Sequence, residues 1–131
     1  MNLVLAIACD AATVSPQGKL DVSGIYNELS APDFPAAQDR MTVVFVLEWS
    51  AREAGEQPIR ADLIGPDGSM VVTVQGHTDV ELGPDNEIPP QTRMILPFDH
   101  VVFPQPGRYF FRLQAGEETL ETLPLYVSRM R

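Results

Sequence analysis

Cysteine is nearly absent from this chain of 131 residues: Cys9 stands alone, so no intramolecular disulfide can form. The cysteine framework of small secreted domains is therefore missing, and a reducing, cytoplasmic location is the expectation. Long apolar runs are missing as well. The most apolar stretch, residues 3–9, is far shorter than the ~18 residues of a membrane-spanning helix, and no basic residue precedes it as in a signal peptide. We expect a soluble protein, with Asn2 to Cys9 as its first strand.

Basic residues are also scarce. The chain has 9 Lys and Arg against 18 Asp and Glu, which gives a formal net charge of −9 and a pI near 4.5. A nucleic-acid backbone must be met by clustered cations, and so must the anionic surface of a membrane. The composition therefore excludes both as expected partners.

Apolar spacing of three and four residues over a helix-length segment is missing too, and no internal repeat is present. Instead, short runs with apolar residues at every second position are separated by turns rich in Pro and Gly. We predict one all-β domain over residues 1–131: an antiparallel two-sheet β-sandwich of immunoglobulin-like or related topology. The length suffices for one sizeable core.

The clearest element is a hairpin in residues 103–127. A turn at Pro104–Gly107 leads into residues 108–114, a second turn follows at 115–118, and residues 119–127 return. The hairpin places Tyr109, Phe111 and Leu113 on one face. Tyr109 stands where a sandwich can have a tyrosine that bonds back to the preceding turn.

Other strands are predicted along the rest of the chain. Their ranges are 19–23, 41–49, 59–64, 69–75 and 92–98, with loops at 10–18, 30–40, 50–58 and 76–91. Residues 41–49 are apolar on both faces through their middle, which indicates a central strand. Leu20 and Val22 are predicted to point inward, with a β-bulge at Gly24 where the alternation breaks. Pro97 and Pro124 indicate edge or interrupted strands, because proline cannot donate to a ladder.

Two histidines, each near an aspartate, are candidates for metal-dependent chemistry. His77, Asp79, Asp99 and His100 would form a divalent-metal or general-base site if the fold brought the two pairs together. The spacing is not diagnostic, and adjacent residues of an extended strand point to opposite faces. Ordinary surface residues are the competing interpretation.

Weaker candidates lie in the acidic segment, which we define as residues 76–91, and at Cys9. Four carboxylates could hold Ca²⁺, although their spacing does not match an EF-hand: Asp79, Glu81, Asp85 and Glu87. The acidic segment could also form a small-ligand pocket with the loop that contains Phe34. Cys9 reads as a buried, inert thiol, since no Lys or Arg neighbours it.

A surface around Phe110 is the strongest candidate for binding. If Tyr109 faces the core, Phe110 lies on the opposite face between Arg108 and Arg112, and aromatic residues and arginine are enriched at protein interfaces. Val44 and Val46 add a second apolar face. We expect this interface to receive a protein partner or a second copy of the chain; the alternative is that the protein's own loops cover it.

Three stretches together resemble a bacterial family known only as a domain of unknown function. They are Ala8-Cys9-Asp10 with Gly18-Lys19-Leu20 and Gly24-Ile25-Tyr26, then Phe34-Pro35-Ala36, and finally Phe103–Phe111 continuing to Pro124–Val127. The resemblance implies a compact bacterial protein and brings no catalytic residue. We therefore expect a non-enzymatic binding or assembly domain without a cofactor. A metal-dependent or small-ligand site is the alternative.

Overall fold

Two β-sheets make up the computed structural model, which describes residues 1–84 and 87–130. The strands are β1 (Asn2–Val14), β2 (Leu20–Tyr26), β3 (Glu28–Ala31), β4 (Ala36–Glu48), β5 (Gly55–Ile64), β6 (Met70–Val80), β7 (Gln91–Phe103), β8 (Gly107–Ala115) and β9 (Glu118–Arg129), with one short 3-10 turn at Ala51–Glu53. The first sheet has the order β2-β1-β4-β7, and the second has the order β3-β9-β8-β5-β6. Within the described ranges, no helix has the length and apolarity to cross a bilayer.

The all-β, two-sheet prediction is confirmed, and the purely antiparallel one is wrong. β3 pairs with β9 in parallel, since the chain leaves the first sheet at Asn27 and enters the second beside its last strand. The second sheet also curls into a half-barrel. The sandwich architecture and its immunoglobulin-like topology stay predictions.

The main core lies between the sheets and is rich in aromatic residues. Phe45 of β4 meets Phe111 of β8 edge to face, with ring centroids 5.9 Å apart. Phe103 of β7 meets Tyr109 in the same way at 5.0 Å. Edge-to-face packing is favourable because the positive ring edge faces the negative ring face. The predicted hairpin of β8 and β9 thus forms one wall of the core.

Tyr109 bonds back to the turn as predicted. Its hydroxyl donates a hydrogen bond to the backbone carbonyl of Gln105 at 2.6 Å and accepts one from the Gln105 N–H at 3.3 Å. The Tyr109 side chain is fully buried and Gln105 is half-buried, so both bonds satisfy polar groups with limited access to water.

A second, smaller core lies on the outer face of the first sheet. Cys9, Val44 and Val46 are buried there. The half-buried residues that pack against them are Leu5, Ile7, Ala12, Leu20, Val22 and Ile95. Leu20 and Val22 therefore point inward as predicted, but into this second core rather than the main one.

The β1–β2 hairpin covers the second core. Pairing between β1 and β4 ends at Cys9 and Thr42, which leaves the hairpin tip free to bend. The tip reaches β7, where the Arg93 guanidinium donates a hydrogen bond to the Gly18 carbonyl at 2.5 Å. One hairpin thus hides an apolar face that would otherwise be exposed.

The predicted β-bulge at Gly24 is wrong. The β1–β2 register continues unshifted from the Cys9–Ile25 pair to the Ala11–Ser23 pair, so no residue is inserted. Gly24 instead has a φ of 71°, and a Cβ there would collide with the Asp10 carboxylate. Beyond this break the half-buried Tyr26 packs on the main core.

Strand ends differ from the predictions more than strand centres. β4 begins at Ala36 inside the predicted loop 30–40, and β1 continues to Val14 through the predicted loop 10–18. The proline predictions are confirmed: β7, which contains Pro97, is an edge strand, and β9 is interrupted near Pro124 by a register shift.

Candidate functional site

The predicted metal residues lie on two edge strands and do not meet. His77 and Asp79 belong to β6, whereas Asp99 and His100 belong to β7. All four are exposed. Among the described residues, no three His, Cys, Asp or Glu side chains lie close enough to hold a metal ion. The fold therefore does not bring the two predicted pairs together.

The separation follows from where the edge strands approach each other. The Thr78 and Thr92 hydroxyls lie 3.2 Å apart, which places the start of β7 beside the end of β6. Asp99 lies seven residues beyond Thr92, a distance of roughly 23 Å along an extended strand. Each pair has other neighbours: the His77 imidazole lies 3.9 Å from Glu56, and Arg40 pairs with Asp99 at 3.3 Å.

Phe34 does not line the cavity that lies beside the described part of the acidic segment. This cavity has a volume of about 380 Å³, and its walls include Trp49, Leu82 and Ile88. Phe34 packs on the main core beneath the Arg129 guanidinium, 5.3 Å from the ring centre. Of the Ca²⁺ candidates, Asp85 lies outside the described residues.

A different groove opens between β1, β2 and β9. It has a volume of about 370 Å³, and its lining residues are Ala6, Ile7, Ala8, Ile25, Tyr26, Asn27, Leu123 and Pro124. Small side chains on β1 and the interruption of β9 leave this space open. Ile25 at its rim is 64% exposed. Sequence periodicity could not predict the groove, because one of its walls is β9, which is distant in the chain from β1 and β2.

Tyr26 is the unusual polar residue of this groove. Its hydroxyl is buried and has no hydrogen-bond partner among the described residues. Burial, followed by the charges of Asp10 and Cys9, raises the pKa of Tyr26 to about 12. The hydroxyl therefore stays protonated at neutral pH.

The predicted surface around Phe110 lies on the outer face of the second sheet. Phe110 is half-buried, Arg108 and Arg112 are exposed, and the Arg108 guanidinium lies 5.6 Å from the Phe110 ring centre. Among the described residues, neither arginine has a carboxylate within 4.0 Å. Both remain available to an external partner.

Strand β9 extends this surface with residues that the sequence did not single out. In the β8–β9 register, Arg108 stands opposite Tyr126, and Arg112 stands opposite Glu121. Tyr126 is 46% exposed, which is high for an aromatic side chain on a paired strand. We call these five residues of β8 and β9 the arginine face: Arg108, Phe110, Arg112, Glu121 and Tyr126.

The neighbouring strand β5 supports the arginine face with a buried carboxylate. Asp62 lies on the outer face of the sheet but is only 5% exposed. It accepts hydrogen bonds from Arg60 at 3.1 Å and from the Thr73 hydroxyl. Arg60 and Thr73 lie on the same outer face, so they bury the Asp62 carboxylate there, outside the main core.

Val44 and Val46 do not belong to this surface. Both lie on β4 of the first sheet and are buried in the second core, at 0% and 7% exposure. The β1–β2 hairpin occupies their outer side, so the alternative of cover by the protein's own chain applies to them. The arginine face is the part of the predicted interface that stays accessible.

Comparison with known proteins identifies a family for this chain but no activity. Residues 4–128 match the model of one family, which is described as a family of unknown function. No curated protein matches the chain.

Proposed function

We propose that this chain, which belongs to the family of unknown function DUF6941, is a non-enzymatic module that binds a protein partner, or assembles, through the arginine face. The observation that carries the proposal is the pair of exposed arginines on both sides of Phe110, neither of which has a carboxylate within 4.0 Å in the part of the chain that the structure describes. Arginine and aromatic side chains supply most of the energy at protein interfaces.

The charge of the chain supports this choice of face. With 18 acidic against 9 basic residues, most of the surface repels an acidic partner. The outer side of β5 and β8 gathers three arginines: Arg60, Arg108 and Arg112. Arg60 is already paired with Asp62, whereas the other two are free to pair with carboxylates from outside.

A photo-crosslinking residue tests the proposal directly. Phe110 is replaced by p-benzoyl-phenylalanine, which keeps an aromatic ring at that position, and the labelled chain is irradiated in the cells that express it. We expect a covalent adduct of one defined mass, which disappears when Arg112→Glu is added. The same label at Val102, 39% exposed on the first sheet, is the control. Equal labelling from the two positions would overturn the proposal.

The groove at Tyr26 supports a second candidate function, the binding of a small apolar ligand. Its volume of about 370 Å³ falls within the ~300–1,000 Å³ of ligand sites. Titration with an apolar fluorescent probe should saturate at one probe per chain. Ile25→Arg at the exposed rim should abolish that binding, and unchanged binding in this variant would count against the groove.

Cytoplasmic location and bacterial origin form part of the same proposal. The single cysteine, buried in the second core, supports a reducing compartment, since nothing in the fold requires a disulfide. The resemblance to a bacterial family supports the origin. Fractionation of cells from the source organism would test the location, and recovery from a secreted fraction would contradict it.

A further inference from the structure

The two strands of the arginine face carry complementary residues at positions that are paired in the sheet. In the register of β8 with β9, Arg112 stands opposite Glu121 and Arg108 stands opposite Tyr126. All four side chains are exposed on the outer side of the sheet. Each row thus holds a cation on β8 and, on β9, either an anion or an aromatic ring.

Such rows are self-complementary under one symmetry operation. A two-fold axis that runs parallel to the strands, above the face and midway between β8 and β9, exchanges the two strands. Each β8 residue of one copy then lies over the β9 residue that is its own register partner. Arg112 meets Glu121 of the second copy, and Arg108 meets the ring of Tyr126 of the second copy.

We propose that the arginine face binds a second copy of this chain about this axis, with Arg112–Glu121 ion pairs and Arg108–Tyr126 cation–π contacts formed twice. This inference rests on the proposed function and names its partner. An axis along β8 itself would stack Arg112 on Arg112, and an axis across the strands at Phe110 would stack Arg112 on Arg108. The axis between the strands avoids both repulsions.

The size of the face limits the area that a dimer of this kind could bury. The axis superposes β8 on β9 and β5 on β3, so the 9 residues of β8 and the 4 residues of β3 limit the overlap. At about 4.8 Å between strands and about 3.3 Å per residue, the flat contact is roughly 400 Å² per copy. A stable interface needs about 800 Å² from each partner. Since the sheet also curls, the two faces touch over part of this area. We therefore expect a reversible dimer that dissociates in the micromolar range.

Sedimentation equilibrium of the full chain over about 5–500 µM tests the proposal, because mass action reveals a dimer in that range. The wild type should approach the mass of two chains at the highest concentration. Arg112→Glu and Glu121→Arg should each raise the dissociation constant by at least about tenfold, since each puts like charges together twice. The double variant, Arg112→Glu with Glu121→Arg, should recover the wild-type constant to within about threefold.

Arg40→Glu is the matched control, because it changes the net charge as Arg112→Glu does but lies on the first sheet and is 64% exposed. Its dissociation constant should match that of the wild type. A wild type that stays monomeric throughout, or a double variant no better than the singles, would overturn the dimer. Circular dichroism of every variant separates lost association from lost folding.

The crosslinking experiment separates this inference from the proposed function. An adduct from position 110 with the mass of two chains supports both. An adduct of another mass supports the proposed function and overturns the second copy as the partner. The absence of an adduct specific to position 110 overturns both.

Discussion

Arg93 of β7 donates a hydrogen bond to the backbone carbonyl of Gly18, 2.5 Å away, although 75 residues separate the two along the chain. This bond holds the tip of the β1–β2 hairpin over the outer face of the first sheet. Cys9 of β1 lies at the base of the hairpin, beneath its bent tip; it is fully buried, with its thiol directed at the Thr42 carbonyl at 3.5 Å. The thiol can therefore report whether the hairpin is closed.

Arg93→Ala should speed the reaction of Cys9 with a thiol reagent. Loss of a charge-assisted hydrogen bond at an exposed site makes local opening easier by about 1 kcal/mol, so labelling should accelerate about fivefold. Burial, followed by the charge of Asp10, raises the pKa of the Cys9 thiol, which keeps labelling of the closed form slow. Arg40→Ala, which removes an exposed pair with Asp99, should leave the rate unchanged. Equal rates in both variants would contradict the hairpin's role.

Tyr109→Phe and Tyr26→Phe should have different effects on the free energy of unfolding. Tyr109 makes two hydrogen bonds with the backbone of the half-buried Gln105, so loss of its hydroxyl should cost about 1 kcal/mol. The Tyr26 hydroxyl has no hydrogen-bond partner within residues 1–84 and 87–130, so its removal should be neutral or stabilising by up to about 1 kcal/mol. Urea unfolding of both variants measures the difference. A similar loss in the two would show that Tyr26 has a bonding partner in solution.

Alkaline pH should destabilise the wild type more than Tyr26→Phe. The pKa of Tyr26 is raised to about 12, first by burial and then by the charge of Asp10, whereas an unfolded tyrosine ionises near its ordinary value. Between about pH 10 and pH 12 the unfolded chain therefore loses a proton that the folded chain keeps, and stability falls. With allowance for partial solvent exposure, we expect a difference of about 1 kcal/mol at pH 11. Urea unfolding at pH 8 and pH 11 measures it, and parallel losses in both proteins would refute the assignment.

Glu53→Gln should lower the free energy of unfolding by about 1 kcal/mol at pH 6. Glu53 accepts bonds from the Met1 ammonium at 2.8 and 3.1 Å and from the Ser50 N–H at 3.0 Å. Burial would raise the pKa of Glu53, but these bonds outweigh it and the pKa falls. The bond to Glu53 raises the pKa of the ammonium, despite opposing desolvation.

The signs of these shifts define a pH window for the Glu53 contact. A lowered carboxylate pKa contributes stability above the ordinary Glu value, and this is lost as pH falls. A raised ammonium pKa contributes stability below its ordinary value of 8.0, and this is lost as pH rises. The difference between wild type and Glu53→Gln should be largest between about pH 5 and pH 8. Glu118→Gln, at a carboxylate 54% exposed, should show a smaller effect. A difference independent of pH would rule out the ion pair.

Local sequence patterns predicted the elements whose side chains alternate without a break. The β8–β9 hairpin, the inward face of Tyr109 and Phe111, and the central position of β4 all follow from period-two spacing and turn chemistry. The prolines of β7 and β9 also indicated an edge strand and an interruption. In these elements, the preference of each residue for a buried, exposed or turn position agrees with the position that the fold gives it.

The errors occur where a distant strand decides the environment. Val44 and Val46 are apolar on an outer face, and only the bent β1–β2 hairpin determines that they are covered. Asp62 is buried by partners on its own strand and on β6, a contact that alternation cannot reveal. Likewise, the sequence placed His77 and Asp79 in a loop, whereas they lie on β6, and it could not give the distance between the two histidine pairs. Strand order is set by long-range packing, which one segment does not encode.

The parallel pairing of β3 with the end of β9 has a consequence for biosynthesis. The Ser30 and Ser128 hydroxyls lie 3.0 Å apart across a separation of 98 residues, so β3 has no partner until the last strand has left the ribosome. Pairings of such long range slow folding, because a large loop must close before the contact can form. The nascent chain must therefore leave β3 without its partner strand while the residues between Ser30 and Ser128 are synthesised, because the sheet edge that receives β3 has not yet formed.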